Sequence, residues 1–372
     1  MNKIYDWLNE SKFIKPLSPG CNLCSKGSKM VLFVSGLCYF DCYYCPLSLE
    51  KGGKDRIFAD EWELNDENDI DKIIQEAKLI KAKGAGITGG DPLIVYNRTK
   101  KYISILKDEF GSNFHIHLYT KAIKNHEFID ELINSGLDEI RFHPSIKYWN
   151  NMDKNPISKH IIKTIEKDID VAIEIPVIPH MKDQILSLIK WSDFNSINWV
   201  NMNELEYSER NFENFSLRKF VAKDDFSSSI YGSEITALEV LSEISKNDYD
   251  IGVHYCSCSF KDGIQLKNRI IRRAKSIVKN YEVISKEGTL IKGVIYAQNK
   301  LSLKILFNKL INEFKLNKKR IYLNKKKDRL EIRILDLNKI SSDLSKQGIS
   351  SYLIEEYPTA DSVEVEKIPL PI

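Results

Sequence analysis

The sequence predicts an α/β protein in two parts: a parallel sheet with crossover helices, curled as a partial (β/α)6 barrel, and a small α+β domain. Two observations support this prediction. Between residues 31 and 202, short apolar runs alternate six times with helical patterns, which is typical of parallel sheets. Beyond residue 281 the order changes to β-α-β-β-α-β. A chain of 372 residues is long enough for one large and one small domain.

The strands predicted for the large part are short and apolar, and a helix follows each of the first five. The strands lie at 31–34, 84–88, 114–119, 139–143, 171–175 and 197–202, and the helices at 67–83, 96–110, 125–134, 157–168 and 182–191. Residues 204–233 are irregular, and a segment of that length in a compact domain is usually a lid, a binding segment or disordered. A helix at 234–246 then leads to a further strand near residue 251.

The small part is predicted to be a ferredoxin-like split βαβ domain. Its strands lie at 289–296, 320–324, 329–335 and 350–357, and its helices at 300–315 and 337–346. We therefore divide the chain into four segments. They are an extension at 1–30, the barrel at 31–262, a basic connecting helix at 263–280 and the small domain at 281–372.

Composition is that of an ordinary globular protein, with 42% hydrophobic and 29% charged residues. The net charge of +3 is too close to zero to indicate a partner. No apolar run is long enough to span a bilayer, and residues 1–7 lack the apolar core of a signal peptide, so we expect no membrane partner. The seven cysteines fall in tight groups, which indicates metal ligation in a cytoplasmic protein rather than disulfides.

Three of these cysteines follow the first predicted strand directly. After Ser35 and Gly36 come Cys38, Cys42 and Cys45, at the spacing C-x3-C-x2-C. Three thiolates in one loop can hold three irons of a cubic iron–sulfur cluster, because soft thiolates suit this chemistry. The loop has no fourth cysteine, so one iron would be free to bind a group that is not protein. The alternatives are structural cysteines or part of a zinc site.

With Tyr44 directly before the last cysteine, this loop resembles the signature of the radical S-adenosylmethionine (radical SAM) superfamily, and most closely the proteins related to pyruvate formate-lyase activating enzymes. The resemblance implies a [4Fe–4S] cluster on Cys38, Cys42 and Cys45, whose open iron chelates S-adenosylmethionine. In that family one electron cleaves the sulfonium, and the resulting 5′-deoxyadenosyl radical abstracts hydrogen from a substrate. It also implies (β/α)6 architecture and an electron donor such as ferredoxin or flavodoxin.

A glycine turn, Gly89-Gly90-Asp91-Pro92, ends the second predicted strand. Glycines allow a ligand to approach the backbone closely. The turn resembles the Gly-Gly-Glu-Pro motif of the same superfamily, whose backbone binds the methionine amino group of the cofactor, and here Asp91 replaces the usual glutamate. By itself the sequence is also compatible with an ordinary turn.

Further cofactor contacts are expected where parallel strands end, because ligands bind at that edge of such sheets. Thr120 ends the third strand and resembles a family position that contacts the cofactor. On the fourth strand Arg141 and His143 share a face. Arg141 could bind the cofactor carboxylate, and His143 could donate to a ribose hydroxyl or be a hydrogen-bonded core histidine. Glu174 should face cofactor or substrate, or be neutralised by Arg141.

The other four cysteines form two pairs, Cys21 with Cys24 and Cys256 with Cys258. If the pairs converge, they can ligate a second [4Fe–4S] cluster or a structural zinc ion, and His254 could replace one thiolate. The alternative is that they are small buried residues with no ligand.

Basic residues are concentrated late in the chain. Residues 261–280 carry seven Lys and Arg against one Asp, and basic triplets follow at 318–320 and 325–327. Such clusters can contact phosphates and give salt-dependent affinity for RNA, tRNA most plausibly. The alternative is a solvated helix face and a hairpin tip.

These observations predict a radical SAM enzyme and leave its substrate open. The first hypothesis is RNA modification, based on the basic segment and the appended domain. The second is modification of a protein or peptide, as by a glycyl-radical activase, based on the additional cysteines. The third is a non-catalytic metal-binding module that binds RNA or another partner.

Overall fold

The computed structural model of this protein describes residues 2–225, 227–297 and 302–371. The chain forms two compact units, Met1–Leu266 and Lys267–Ile372. The boundary falls inside the predicted connecting segment 263–280, so the basic helix belongs to the second unit.

Eleven strands of the first unit form one mixed sheet. They are β1 (Ile4–Asp6), β2 (Lys12–Ile14), β3 (Lys29–Phe33), β4 (Phe58–Ala59), β5 (Trp62–Glu63), β6 (Gly84–Thr88), β7 (His115–Thr120), β8 (Glu139–Phe142), β9 (Asp170–Val177), β10 (Trp199–Glu204) and β11 (Gly252–Cys256). Their spatial order is β1-β2-β11-β10-β9-β8-β7-β6-β3-β4-β5. The centre, from β11 to β3, is parallel, whereas β2 pairs antiparallel with β11 and β4 with β3. The six predicted strands all belong to this centre, and the sheet is open because β1 and β5 form its edges.

The helices of the first unit follow the predicted alternation. They are α1 (Pro19–Ser25), α2 (Ile70–Leu79), α3 (Tyr96–Phe110), α4 (Ile129–Asn134), α5 (Ser158–Ile165), α6 (Lys182–Phe194), α7 (Phe212–Leu217), α8 (Ser233–Ser245) and α9 (Cys258–Phe260). A π-helical turn covers Lys261–Leu266. The segment 204–233, predicted to be irregular, contains α7 and two isolated strand bridges. In the described ranges, no helix is long and apolar enough to cross a membrane.

Alternation along the central strands separates apolar from polar side chains. On β8, Ile140 and Phe142 are fully buried in the hydrophobic core. Glu139 and Arg141 occupy the opposite face of the same strand and are also buried. Burying charge on that face is tolerable only with partners, so this face holds an ionic network described below.

The N-terminal residues are part of the first unit and not a separate extension. Strand β2 joins the sheet beside β11, with Phe13 opposite His254. Helix α1 begins at Pro19, after the N-cap residue Ser18, whose hydroxyl accepts from Cys21 N, and it packs near β3, β6 and β7. This helix carries Cys21 and Cys24 to the amino ends of those strands.

The second unit contains an antiparallel sheet flanked in sequence by helices. Its elements are α10 (Lys267–Ile277), β12 (Val283–Ile284), β13 (Leu290–Tyr296), α11 (Leu303–Asn312), β14 (Ile321–Asn324), β15 (Arg329–Ile332), α12 (Ile334–Lys346), β16 (Ser350–Glu356) and β17 (Glu364–Leu370). The strand order is β14-β15-β13-β16-β17, and β12 pairs with β13. Residues 300 and 301, where a helix was predicted to begin, lie outside the described residues. Strands β12 and β17 were not predicted.

One face of this second sheet carries a buried ionic network. Arg329 is fully buried and contacts Glu331 and Glu356 through its guanidinium. Lys292 lies 2.7 Å from Glu356 and 2.8 Å from Glu282. The other face packs on a core of aliphatic side chains that includes Leu306, Leu337 and Leu344.

Candidate active site

Cys38, Cys42 and Cys45 line one cavity, of about 340 Å³, in the first unit. Gly89 and Gly90 line it as well. The cavity is concave and large enough for a small-molecule ligand, whose sites in proteins usually hold about 300–1,000 Å³. Its other lining residues come mainly from the segments after the parallel strands, including Tyr44, Thr120, Lys121, His143, Glu174, Asn203, Glu204, Glu206, Arg210 and Lys261.

The cysteine loop presents its thiols as potential metal ligands. Cys45 N donates to Cys42 O at 2.9 Å, and Phe40 N donates to the Cys38 sulfur at 3.4 Å. Cys38 is exposed and the other two are half-buried. Partial burial raises the pKa values of the Cys38 and Cys45 thiols, so iron binding must be accompanied by proton release.

The glycine turn packs directly on the start of the cysteine loop. Gly90 N and Asp91 N each donate at 2.8 Å, to Ser35 O and Leu37 O respectively. A Cβ on Gly90 would lie 2.1 Å from Leu37 O, so the approach of the two loops requires glycine there. Because these N–H groups are already bonded, the turn can offer a ligand its carbonyl oxygens, which suit an ammonium donor.

The Asp91 carboxylate lies beneath this turn and not in the cavity lining. It accepts from Thr120 Oγ1 at 2.7 Å, Leu93 N at 3.2 Å and Lys121 N at 3.3 Å. Burial raises its pKa, and these donors act in the opposite direction. Asp91 is one of the predicted cofactor contacts. In the structure its side chain does not line the cavity but accepts a hydrogen bond from Thr120, which does.

Tyr44 and His143 connect the cysteine loop to the end of β8. The Tyr44 hydroxyl lies 2.8 Å from His143 Nε2, and His143 Nδ1 lies 2.7 Å from the carbonyl oxygen of Glu174. A carbonyl only accepts, so Nδ1 carries the proton and Nε2 accepts from Tyr44. Burial lowers the pKa of His143 to about 3, which keeps the ring neutral. Of the two predicted roles, these bonds fit a hydrogen-bonded core histidine, although the ring also lines the cavity.

Arg141 lies below the cavity, in contrast to its predicted contact with the cofactor carboxylate. It is 2% exposed and does not line the cavity. Its guanidinium binds Glu139 at 2.6 Å, Glu174 at 3.0 Å and Ser18 Oγ at 2.9 Å. The structure thus contains the other predicted arrangement, in which Arg141 neutralises Glu174. Asn203 also donates to Glu174, at 2.6 Å, which orients this carboxylate at the cavity wall.

The sulfur atoms of the four remaining cysteines do not lie close enough together in this structure to bind one zinc ion. The Cys21 sulfur lies 3.5 Å from Arg141 Nη2, and Cys258 lies 3.7 Å from a Glu206 carboxylate oxygen. Over the described part of the chain, no cysteine belongs to a group of three potential ligands close enough for one ion. The structure therefore gives no support to a four-thiolate zinc site, which stays a prediction. A second cubic cluster would space its thiolates more widely, because each binds a different iron, and it stays a prediction.

His254, predicted as a substitute ligand, is buried beside Trp7, and neither ring nitrogen has a hydrogen-bond partner. Burial lowers its pKa to about 3. The side chain is therefore neutral, and its role as a substitute ligand stays a prediction.

Several lining residues were missed by sequence reasoning. Asn203, Glu204, Glu206 and Arg210 follow or end β10, and Lys261 follows α9. The same rule that selected Thr120, namely that ligands bind where parallel strands end, could have selected the residues after β10. These residues were not predicted, because 204–233 has no regular helix or strand pattern in the sequence.

The basic residues of 261–280 are partly neutralised inside their own units. Lys261 is paired with Glu206 at 3.3 Å in the first unit. In the second unit Lys267 lies 2.8 Å from Glu287, and Arg273 is buried and donates to the carbonyl oxygen of Pro358. The segment is therefore not a uniformly open basic surface, which removes part of the support for an RNA partner.

Comparison with known proteins gives two family matches. The radical SAM superfamily model matches residues 32–191, and a domain of unknown function, DUF8061, matches residues 288–370. A protein of Methanocaldococcus jannaschii that carries the provisional name glycyl-radical enzyme activating enzyme is 41% identical over 376 residues, covering 97% of this chain and 94% of its own.

Similar solved structures are more distant. Streptococcus suis SuiB bound to S-adenosylmethionine has a TM-score of 0.43 and 11% identity, over 62% of this chain and 50% of that one. Kitasatospora setae TsrM, a radical S-adenosylmethionine methyltransferase with tryptophan and a cofactor analogue bound, has a TM-score of 0.36 and 9% identity, over 70% and 54%. The chain spans about half the length of these structures.

The residues of the site fit the cofactors of this superfamily. Three soft thiols lie in one loop, with no fourth cysteine in it, and open into a cavity that the glycine turn also lines. The close relative extends the match from the cysteine loop to nearly the whole chain. This chain belongs to the radical SAM superfamily, among the relatives of pyruvate formate-lyase activating enzymes, and it is an enzyme whose cofactors are a [4Fe–4S] cluster and S-adenosylmethionine.

Proposed function

We propose that this protein abstracts a hydrogen atom from a protein or peptide substrate, as an activating enzyme does. One observation is central to the proposal: Cys38, Cys42 and Cys45 line the same cavity as Gly89 and Gly90. The three thiolates would hold the cluster, and the turn carbonyls would accept from the amino group of S-adenosylmethionine. When bound and reduced by a donor such as ferredoxin or flavodoxin, the cluster supplies the electron that cleaves the sulfonium.

The surrounding side chains position and enclose this site. Tyr44 and His143 hold the cysteine loop against β8 through their hydrogen bond. Asp91 holds Thr120 at the cavity wall. Glu174, fixed by Arg141 and Asn203, provides a carboxylate that can accept from a hydroxyl or ammonium group of a ligand.

Two observations favour a protein substrate over RNA. The charged residues of the cavity lining are balanced, with the glutamates Glu174, Glu204 and Glu206 against Lys121, Arg210 and Lys261, so this surface is not the basic groove that a polyanion requires. The neighbouring segment 204–233 also exposes large apolar side chains, namely Phe212, Leu217, Val221 and Tyr231. Because this segment also contributes residues to the cavity lining, these side chains offer a protein substrate apolar surface close to the site. The name of the Methanocaldococcus jannaschii relative agrees with this choice.

We also propose that the second unit is a ferredoxin-like domain extended by one strand. The four predicted strands correspond to β13, β14, β15 and β16, and their order in the sheet is second, third, first, fourth. All pairings among them are antiparallel. This arrangement supports the split βαβ prediction, with β17 added beside β16.

The experiment that tests this function follows hydrogen transfer. Protein reconstituted anaerobically with iron and sulfide is reduced and incubated with S-adenosylmethionine and α-deuterated glycyl peptides or proteins, and 5′-deoxyadenosine is analysed by mass spectrometry. We expect deuterium in 5′-deoxyadenosine from protein but not from deuterated bulk tRNA. Deuterium transfer from tRNA would favour RNA modification, and a complete lack of 5′-deoxyadenosine would favour the non-catalytic hypothesis.

A further inference from the structure

A second group of potential metal ligands lies at the opposite end of the strands from the cysteine loop. His115 and Glu139 begin β7 and β8, whereas the cavity forms where these strands end. His115 and His117 are two residues apart and therefore share a face of β7, and His117 is paired in register with Glu139. One potential ligand atom from each of these three side chains lies within 4.8 Å of the other two.

Each side chain has one bonded and one unbonded polar atom. His115 Nδ1 lies 2.9 Å from Lys29 Nζ, His117 Nε2 lies 2.9 Å from the Tyr119 hydroxyl, and Glu139 Oε1 accepts from Arg141 at 2.6 Å. The remaining atoms, His115 Nε2, His117 Nδ1 and Glu139 Oε2, are buried and have no hydrogen-bond partner. An unsatisfied buried polar group costs about 1–3 kcal/mol, so three in one place require an explanation.

Two of the three outer bonds, those to His117 and Glu139, are of the kind that a metal site uses. A histidine that binds a metal through one ring nitrogen usually bonds a protein group through the other, which fixes the orientation of the ring. His117 is held in this way, because the Tyr119 hydroxyl can accept from its Nε2, and Glu139 is held by Arg141. The ammonium group of Lys29 only donates, so His115 Nδ1 accepts from it, and binding of an ion at His115 Nε2 releases one proton from this pair. His117 and Glu139 are 1% and 0% exposed, so the site is shielded from bulk water.

Spacing and free volume also suit a single ion. His115 Nε2 and Glu139 Oε2 are 3.5 Å apart, close to the separation of about 3.4 Å expected for two ligands of tetrahedral zinc at bond lengths of about 2.1 Å. Gly20, on α1, lies over this spot. A Cβ there would be 2.7 Å from His117 Nδ1, 2.8 Å from Arg141 Nη2 and 2.9 Å from Glu139 Oε2, so glycine leaves open a space that borders two of the unbonded atoms and the guanidinium of Arg141.

We propose that His115, His117 and Glu139 bind one divalent transition-metal ion, with Zn²⁺ as the test ion. Two imidazoles and one carboxylate form a set that binds Zn²⁺ or Fe²⁺ and leaves further coordination positions open. The ion satisfies three buried polar atoms and links β7 to β8 beneath α1. This site is separate from the cluster and does not depend on the proposed function.

The test uses the full chain carrying Cys38→Ala, Cys42→Ala and Cys45→Ala, so that the cysteine loop cannot bind the added metal. This protein is loaded with Zn²⁺ alone, dialysed, and its zinc content measured, and a Co²⁺-loaded sample is examined by visible absorption. His117→Gln and Glu139→Gln remove one ligand each, and His180→Gln changes an exposed histidine elsewhere in the same unit. Circular dichroism establishes that each variant is folded.

We expect one zinc per chain in the parent protein and in His180→Gln. Zinc affinity should fall more than about 100-fold in His117→Gln and Glu139→Gln. This loss exceeds the roughly 10- to 100-fold loss that is typical when only a hydrogen-bond partner of a metal ligand is removed. The Co²⁺ spectrum should lack thiolate charge-transfer bands. Equal zinc content in all variants, no bound metal in the parent, or thiolate bands in the Co²⁺ spectrum would each overturn the proposal. If a variant fails to fold, the Co²⁺ spectrum of the parent protein still tests the proposal, because it shows whether thiolates bind the ion.

Discussion

The Tyr44 hydroxyl donates to His143 Nε2 across 2.8 Å and joins the cysteine loop to the end of the fourth parallel strand. The two residues are 99 positions apart in the chain. Because His143 also donates to the carbonyl oxygen of Glu174, a single imidazole connects the loop, β8 and β9. The loop that provides the cluster ligands is thereby fixed against the same strand ends that line the cavity.

Removing the hydroxyl should loosen this connection. We expect Tyr44→Phe to lower the free energy of unfolding by about 1–2 kcal/mol, because His143 Nε2 loses its donor inside the protein. The apparent KM for S-adenosylmethionine should rise as the loop becomes less ordered. Tyr39→Phe, a change at a half-exposed tyrosine in the same loop, is the control. Identical denaturation curves for the two variants would contradict this role of Tyr44.

The central cysteine of the motif tests the cluster assignment. Cys42→Ala should abolish the iron–sulfur absorption of the reconstituted protein and reduce 5′-deoxyadenosine formation to background, because two thiolates cannot replace three as cluster ligands. Leu49→Ala changes an exposed side chain nearby and should leave both properties intact. Retention of the cluster in Cys42→Ala would show that other cysteines bind it.

Iron counting addresses the predicted second cluster. Reconstituted protein should contain about four irons per chain if only the motif cysteines bind iron and about eight if a second [4Fe–4S] cluster forms. Cys256→Ala distinguishes these cases, because its sulfur lies outside the cavity lining. Unchanged iron content in this variant would exclude Cys256 as a cluster ligand.

Arg141 is the buried cation between two glutamates, so its loss should be costly. We expect Arg141→Met to destabilise the protein by about 3–5 kcal/mol, because Glu139 and Glu174 lose their shared buried partner. Lys100→Met breaks a half-exposed pair with Glu131 and should change stability far less, because solvent screens this pair. Chemical denaturation measures both changes. Comparable small effects would show that Arg141 is not needed to compensate the two carboxylates.

Acid should weaken the second unit through Glu356. Burial favours the neutral carboxyl, but hydrogen bonds from Lys292, Lys327 and Arg329 outweigh this and lower its pKa from 4.5 to about 2. A depressed pKa stabilises the fold above pH 4.5, and this stabilisation is lost as pH falls toward 2. All five tryptophans lie in the first unit, so their fluorescence does not report directly on the second.

We expect far-UV circular dichroism of the native protein to show a second-unit transition whose midpoint falls to lower denaturant concentration between pH 4.5 and 2. Glu356→Gln should reduce this pH dependence and lower stability at neutral pH by about 2 kcal/mol. The tryptophan transition should be unaffected by the substitution. A pH profile that is unchanged in Glu356→Gln would assign the acid sensitivity to other groups.

The sequence by itself determined the strand–helix alternation, the cysteine motif and the glycine turn, because each depends on residues close together in the chain. Periodicity located the six central strands, and spacing identified Cys38, Cys42 and Cys45 as ligands of one cluster. Both the superfamily and its cofactors follow from these local patterns.

Only the tertiary structure decided which polar side chains meet. The strand pattern placed Arg141 and Glu174 on inward faces, but whether Arg141 reached the cofactor or a carboxylate depended on Glu139 and Ser18, which approach it from β8 and from the cap of α1. In the same way, the unbonded atoms of His115, His117 and Glu139 converge only after β7 and β8 pair in register. Hydrogen-bond and ion-pair partners are set by distances between elements, and these distances are not encoded in any local spacing.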